Sequence, residues 1–142
     1  MGKIVIGYDA KRLVRNATGL GNYGRTLVND VALAVPDDWQ LRLYAPDAGR
    51  DELRQQVAAS ERLRFVYPGG RPLKVQRSLW RVGPIVRDLQ RDGVQLYHGL
   101  TGELPRGIRR AGIPSVVTIH DLIFLRHPEY YHWLDMQIYA WK

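Results

Sequence analysis

The chain has no cysteine among its 142 residues, which excludes disulfide cross-links and thiolate metal sites. It has no apolar stretch near the ~18 residues that a membrane-spanning helix needs. Its amino end, Met1-Gly2-Lys3-Ile4-Val5-Ile6-Gly7, carries too short an apolar run for a secretory signal. Gly2 follows Met1, but Ile6 stands where an N-myristoylation signal needs serine or threonine. Histidines at metal-ligand spacing are also missing, since His127 and His132 are five apart where a helix begins. No metal and no cofactor are therefore expected. Repeats, low-complexity tracts and nucleic-acid reader motifs are absent, so no nucleic-acid partner is expected either. The lack of cysteine suits a reducing compartment, and a cytoplasmic location is the expectation.

What is present is an ordinary globular balance, 45% hydrophobic and 25% charged. The length fits one domain, residues 1–142. Formal charge is +7, and its distribution is uneven. Residues 62–91 hold eight bases (Arg62, Arg64, Arg71, Lys74, Arg77, Arg81, Arg87 and Arg91) against one acid, Asp88, so this segment alone carries +7. The remainder balances at thirteen bases and thirteen acids. A local excess of this kind attracts an anionic partner, or it is simply a solvated helix face. Leu79 and Trp80 lie between Arg77 and Arg81, so an anionic membrane surface is one expected partner of this segment.

Short runs rich in apolar residues at 3–8, 41–44, 63–66, 94–97 and 114–119, the first of them β-branched, predict five strands. Between them, residues 19–34, 51–59 and 74–91 predict helices, the first with Tyr23, Leu27, Val31 and Ala34 at helical spacing. Gly83-Pro84 should kink or split the third, because proline removes a helix hydrogen bond and clashes with the preceding turn. Residues 9–18 and 120–128 read as loops, and a helix is expected from Glu129 onward, with Tyr130, Leu134 and Ile138 on one face. Strands alternating with helices imply an α/β fold, a Rossmann-like open parallel sheet with helices on both faces.

In such a sheet, ligands bind outside the carboxyl ends of the strands. Three segments are expected there: residues 9–22, 98–101 and 120–124. The first contains Gly19-Leu20-Gly21-Asn22-Tyr23-Gly24, which satisfies G-x-G-x-x-G. A dinucleotide fingerprint places its first glycine directly after the strand, whereas about ten residues separate Tyr8 from Gly19. Asp47, near the distance of the ribose-binding acid, lies past Pro46 in a loop. A nicotinamide or flavin site is therefore disfavoured. A glycine-rich turn opening a helix still offers free N–H groups and a positive dipole end to a phosphate, or it only lets the helix pack close to the sheet. The second segment holds His98 and Thr101. The third holds His120-Asp121, whose imidazole and carboxylate can bond sugar hydroxyls or phosphates. Adjacent residues of an extended chain point opposite ways, so the two are not expected to face one ligand together.

The ordered set Ile6-Gly7-Tyr8-Asp9-Ala10, Thr18-Gly19-Leu20-Gly21-Asn22-Tyr23, Leu96-Tyr97-His98-Gly99, Thr118-Ile119-His120-Asp121-Leu122-Ile123 and His127-Pro128-Glu129-Tyr130-Tyr131 resembles glycosyltransferase family 4, above all its bacterial mannosyltransferase-like members. Residues 48–93 carry none of the matching motifs. The resemblance implies the N-terminal, acceptor-side half of a retaining enzyme built from two Rossmann-like domains. A hexose, mannose-like, would pass from a GDP- or UDP-sugar to a glycan or lipid-linked acceptor, as in polysaccharide biosynthesis. It implies His120 as the catalytic contact to the donor sugar. Gly19, Leu20, Gly21, Asn22, Tyr23, Asp121, His98 and Thr101 would lie around donor phosphates and acceptor. The donor half of such enzymes carries two glutamates eight positions apart. The glutamates here are Glu52, Glu61, Glu103 and Glu129, none of them eight apart, so the donor-binding domain is expected to be absent from this chain, and the isolated chain inactive. A peripheral place on the inner membrane face follows from a lipid-linked acceptor. The rival expectations are a fragment of a nicotinamide-dependent dehydrogenase and a non-catalytic binding domain.

Overall fold

A computed structural model describes residues 2–70, 73–127 and 129. Among these, five parallel strands form one sheet: β1 (Val5–Asp9), β2 (Gln40–Tyr44), β3 (Leu63–Val66), β4 (Leu96–Gly99) and β5 (Ser115–Val117), in the order β3-β2-β1-β4-β5. Six helices connect or flank them: α1 (Lys11–Arg15), α2 (Gly19–Ala34), α3 (Asp51–Arg54), α4 (Lys74–Val82), α5 (Ile85–Arg91) and α6 (Ile123–Arg126). The expected α/β class, with an open parallel sheet flanked by helices, is what the chain adopts.

The central strand β1 is buried at all five positions, as befits a strand covered on both faces. Two apolar clusters divide the core. One joins Ile6, Tyr8, Leu41, Leu43 and Leu63 of the sheet to Leu13, Val14 and Val28 of α1 and α2. The other joins Val5, Tyr44 and Tyr97 to Trp80, Ile85 and Leu89 of α4 and α5. Gly7 sits in the tight second layer, where a Cβ would lie 3.2 Å from Tyr44, Tyr97 and Val94.

The break at Gly83-Pro84 separates α4 from α5 as the sequence predicts. Proline has no N–H and the helix ladder ends. The carbonyl of Val82 accepts instead from the N–H of Arg106, at 2.6 Å, which ties the 104–112 turn to the end of α4.

Several expectations are corrected. Residues 9–18 are not all loop, because Leu13 and Val14 are fully buried and pull α1 onto the sheet. The helix expected over 51–59 stops at Arg54 rather than Ala59. In α2 the buried stripe is Gly21, Gly24, Arg25 and Val28, whereas Tyr23 and Ala34 are exposed. A short helix, α6, lies within the expected 120–128 loop. Beyond Glu129, the helix expected to place Tyr130, Leu134 and Ile138 on one face lies outside the described residues.

Candidate functional site

The chain leaves β1 toward β2 on one side and returns from β3 to β4 on the other. The switch point is therefore between β1 and β4, and the crevice beyond their carboxyl ends is where a doubly wound sheet binds ligands. Asp9 ends β1 there, and His98 and Gly99 end β4. The amino end of α2 and the chain after β5 close around it.

Four polar side chains from three elements meet at this place. His98 Nε2 lies 2.7 Å from Thr118 Oγ1, and the Tyr23 hydroxyl reaches the same oxygen at 3.5 Å. The Tyr23 ring meets the His120 ring edge-on, with centroids 4.9 Å apart. His120 Nε2 is 2.8 Å from the carbonyl of Leu100. A carbonyl only accepts, so His120 carries its proton on Nε2, leaving Nδ1 for another partner. His98 is half-buried, which holds its pKa below the ordinary histidine value. Tyr8 packs beside it, ring centroids 5.7 Å apart, and burial pushes the Tyr8 hydroxyl up to about 12. Both groups are neutral at pH 7.

The glycine-rich turn divides its labour. Gly19 is exposed, a Cβ on it would meet nothing within 4 Å, and the N–H groups of Gly19 and Leu20 find no acceptor among the described residues. Gly21 is there for packing, since its Cβ would lie 1.8 Å from the carbonyl oxygen of Asn16. Gly24 likewise makes room for Leu13, whose side chain would come within 2.5 Å of a Cβ at that position. The open backbone edge is thus Gly19-Leu20, not the whole motif. Asn16 Oδ1 accepts the N–H groups of Thr18 and Gly21, at 3.0 Å each, and so caps the turn in place of the Thr18 side chain.

Arg25 fixes that turn from beneath. It is 2% exposed and donates to the carbonyls of Leu13 and Asn16, to Asn22 Oδ1 and to Gln56 Oε1, at 2.6–2.9 Å. Asn22, exposed on the same turn, accepts from Arg25 with its side-chain oxygen. Asp121 is exposed and uses one carboxylate oxygen on the N–H of Ile123 at the start of α6. Thr101 is half-buried just after Leu100, at the lip of the crevice.

Sequence reasoning missed a second polar cluster beside the first. Arg81 Nη1 donates to Asp9 Oδ2 at 2.7 Å and Nη2 to Glu103 Oε2 at 2.5 Å. Asp9 is 2% exposed, and burial pushes its carboxyl up while the Arg81 guanidinium opposes that rise. Lys11, half-buried close by, has its pKa lowered by burial and by the Arg81 charge. Only Asp9, at a strand end, carried a signal in the sequence. Arg81 and Glu103 are 22 residues apart and meet through the Val82–Arg106 tie.

The basic segment does not form one face. Arg62 bonds the carbonyls of Ala32 and Pro36 at the end of α2, Arg81 is in the cluster just described, and Arg91 pairs with Asp88 and Asp92. Trp80 is buried and donates to Asp88 Oδ2 at 2.5 Å, while Leu79 is exposed. Arg71 lies outside the described residues. Among the described residues no three His, Asp or Glu side chains are placed to hold a metal ion, and no helix is long and apolar enough to cross a membrane. Compared with family models, curated proteins and solved structures, the chain matches none of them.

Proposed function

We propose that this chain is the acceptor-side domain of a retaining glycosyltransferase, moving a mannose-like hexose from a GDP- or UDP-sugar to a glycan or lipid-linked acceptor, together with a donor-binding domain of the two-glutamate kind. The observation that carries this reading is the meeting of Tyr23, His98, Thr118 and His120 with the open Gly19-Leu20 edge at the β1/β4 switch point. Hydroxyl and imidazole groups suit sugar hydroxyls, each able to donate or accept. Fixed N–H groups at the start of a 16-residue helix suit phosphate oxygens, whose charge grows as the nucleoside diphosphate departs. His120, with Nε2 anchored on Leu100, turns Nδ1 or its ring edge to the sugar and orients it. Tyr23 buttresses that ring.

The nicotinamide alternative has less support. α1 lies between β1 and the glycine turn, and Asp47 is engaged by Arg15 and by the N–H of Gly49. The space above Gly21 is filled by Asn16, not open to a pyrophosphate.

A titration of the ¹⁵N-labelled chain separates the readings. Mannose-bearing acceptors and sugar phosphates should shift the amides of residues 19–23, 98–101 and 118–120. Shifts produced there by NAD with sugars silent would replace this reading with the dehydrogenase one. Silence toward both sets would leave a non-catalytic binding domain.

Peripheral attachment to the inner membrane face belongs to the same proposal, with its surface moved. Trp80 is turned inward, whereas α4 exposes Val75, Leu79 and Val82 at i, i+4 and i+7, beside exposed Lys74, and the Val82 carbonyl bonds the turn that leads on to Arg109 and Arg110. Co-sedimentation with anionic vesicles, lost in Val75→Ser/Leu79→Ser and weakened by salt, is the expected result. A wild-type chain that stays in the supernatant at low salt ends this part of the proposal.

A further inference from the structure

On the β2–β3 half of the sheet, far from the crevice, an open concavity of about 490 Å³ is lined by Lys3, Arg42, Arg64, Tyr67, Arg91 and Asp92, among others. Its volume is within the range of small-molecule sites. Four of these residues are cations and one is an acid. Lys3 precedes β1, Gln40 opens β2, and Asp92 follows α5 just before β4. The concavity therefore begins at the amino ends of the strands, whereas the crevice lies at their carboxyl ends.

Arg42 and Arg64 are register partners on neighbouring parallel strands, so their side chains leave the same face of the sheet. Like charges directly across a strand pair repel. Arg42 is nevertheless only 6% exposed. Its guanidinium bonds Gln40 Oε1 and, at 3.5 Å, the carbonyl of Leu41, but it pairs with no carboxylate among the described residues. Asp92, the acid of the lining, is taken by the Tyr44 hydroxyl at 2.8 Å and by Arg91 at 3.1 Å. Arg64 and Lys3 have no ion pair among the described residues either. Burial first, then the Arg64 charge, lowers the pKa of Arg42, the mark of a cation placed at a cost. A buried guanidinium set against a second one, and facing only an Asp92 carboxylate that Tyr44 and Arg91 already engage, is short of counter-charge.

We propose that this concavity binds a phosphate-bearing anion, held by Arg42 and Arg64 with Lys3 at its rim. Two guanidinium forks side by side match the planar edges of a tetrahedral oxyanion, and the Lys3 ammonium adds a point charge. Such an anion offsets the Arg42–Arg64 repulsion. A diphosphate or a phosphomonoester, each with more than one negative charge, fits Arg42, Arg64 and Lys3 together better than a carboxylate does. The site is independent of the transferase reading, which concerns the crevice at the carboxyl ends of β1 and β4.

The test is pyrophosphate binding to the whole chain, by calorimetry and thermal shift, with sodium chloride at matched ionic strength as control. Pyrophosphate should raise the melting temperature where chloride does not, and should shift the amides of residues 40–44 and 63–67. Arg64→Gln should weaken binding at least about tenfold. Arg64→Glu should abolish it and raise the melting temperature of the unliganded chain, because the new carboxylate supplies Arg42 with its missing partner. Vesicles containing phosphatidic acid distinguish the sources. Binding of free pyrophosphate without co-sedimentation identifies a soluble ligand, and co-sedimentation displaced by pyrophosphate identifies a lipid headgroup; either supports the site. Absence of pyrophosphate binding up to about 10 mM overturns it. So does equal affinity in Arg64→Gln, or a shift confined to residues 19–23.

Discussion

Replacing Arg25 with methionine is the sharpest test of how the glycine turn is held. Methionine keeps the unbranched shape and helix propensity of the side chain but removes the four hydrogen bonds it donates. The carbonyl of Leu13, whose bond to Arg25 is fully buried, loses that partner, at roughly 1–3 kcal/mol. The other three acceptors, Asn16 O, Asn22 Oδ1 and Gln56 Oε1, are partly buried and can turn to water, at about 0.5–1 kcal/mol each. Against this, burial lowers the pKa of Arg25, so its charge is itself held at some cost that methionine relieves. The net loss expected is about 2–4 kcal/mol, or a fall in melting temperature of about 10 °C. Urea unfolding measures the loss. Amide exchange should quicken at residues 18–22, because Asn16 and Asn22 lose their common anchor. Gln56→Ala, which removes one of the four bonds, should cost only about 1 kcal/mol. An Arg25→Met chain within ~0.5 kcal/mol of wild type, with unchanged exchange in the turn, would refute the argument that Arg25 is its anchor.

Three further outcomes are expected. Gly21→Ala should destabilise by at least about 2 kcal/mol and Gly24→Ala by about 1, as measured by urea unfolding, because the first meets backbone and the second the tip of Leu13; equal costs would contradict this. Asp9→Asn should cost about 3 kcal/mol by leaving Arg81 without its buried partner, and Glu103→Gln less, since Glu103 is more exposed; thermal unfolding of both variants decides it. For His98, burial lowers the folded pKa, so the unfolded chain takes up the proton first, near pH 6.5. The His98 contribution is complete above that pH and is lost as pH falls through the folded value, so wild-type stability should drop more than that of His98→Gln between about pH 7 and pH 5. Parallel stability curves for the two would show that His98 is not buried as described.

The strands were legible from short runs rich in apolar residues, and β3 begins and ends at Leu63 and Val66 as the sequence predicts. The split at Gly83-Pro84 was legible for a covalent reason, the missing proline N–H. The face of α2 is where hydropathy misleads. Leu27 and Val31 of the predicted face pack against the core, but Tyr23 is exposed, and Gly21 and Gly24 lie inward because only a missing side chain admits Asn16 and Leu13 so closely. Residue type also hid Arg25, which is buried through hydrogen bonds to chain segments up to 31 residues away rather than through apolarity. His98 and His120 stood out by their place at strand ends. Their connection through Thr118 and Leu100 is a matter of strand register, which hydropathy does not encode. The charge of residues 62–91 illustrates the same limit, since a contiguous basic stretch is scattered over both ends of the sheet once folded.

The division of the core has a consequence for the order in which the chain can fold. Every buried member of the α1–α2 cluster except Leu100 occurs by residue 63, whereas the α4–α5 cluster is completed only at Ile113. The first layer can therefore consolidate on β1, β2 and β3 while the remainder is still being synthesised. β1 then waits with one edge bare, because Ile6 pairs with Leu96, a separation of 90 residues. Closing so long a loop is slow, and an unpaired central strand is open to wrong partners until it happens. Pulse-labelled amide exchange should accordingly protect residues 41–43 before residues 96–98. The switch point is thus the last place in the sheet to form, and the crevice built on it comes into being only when the two layers are joined.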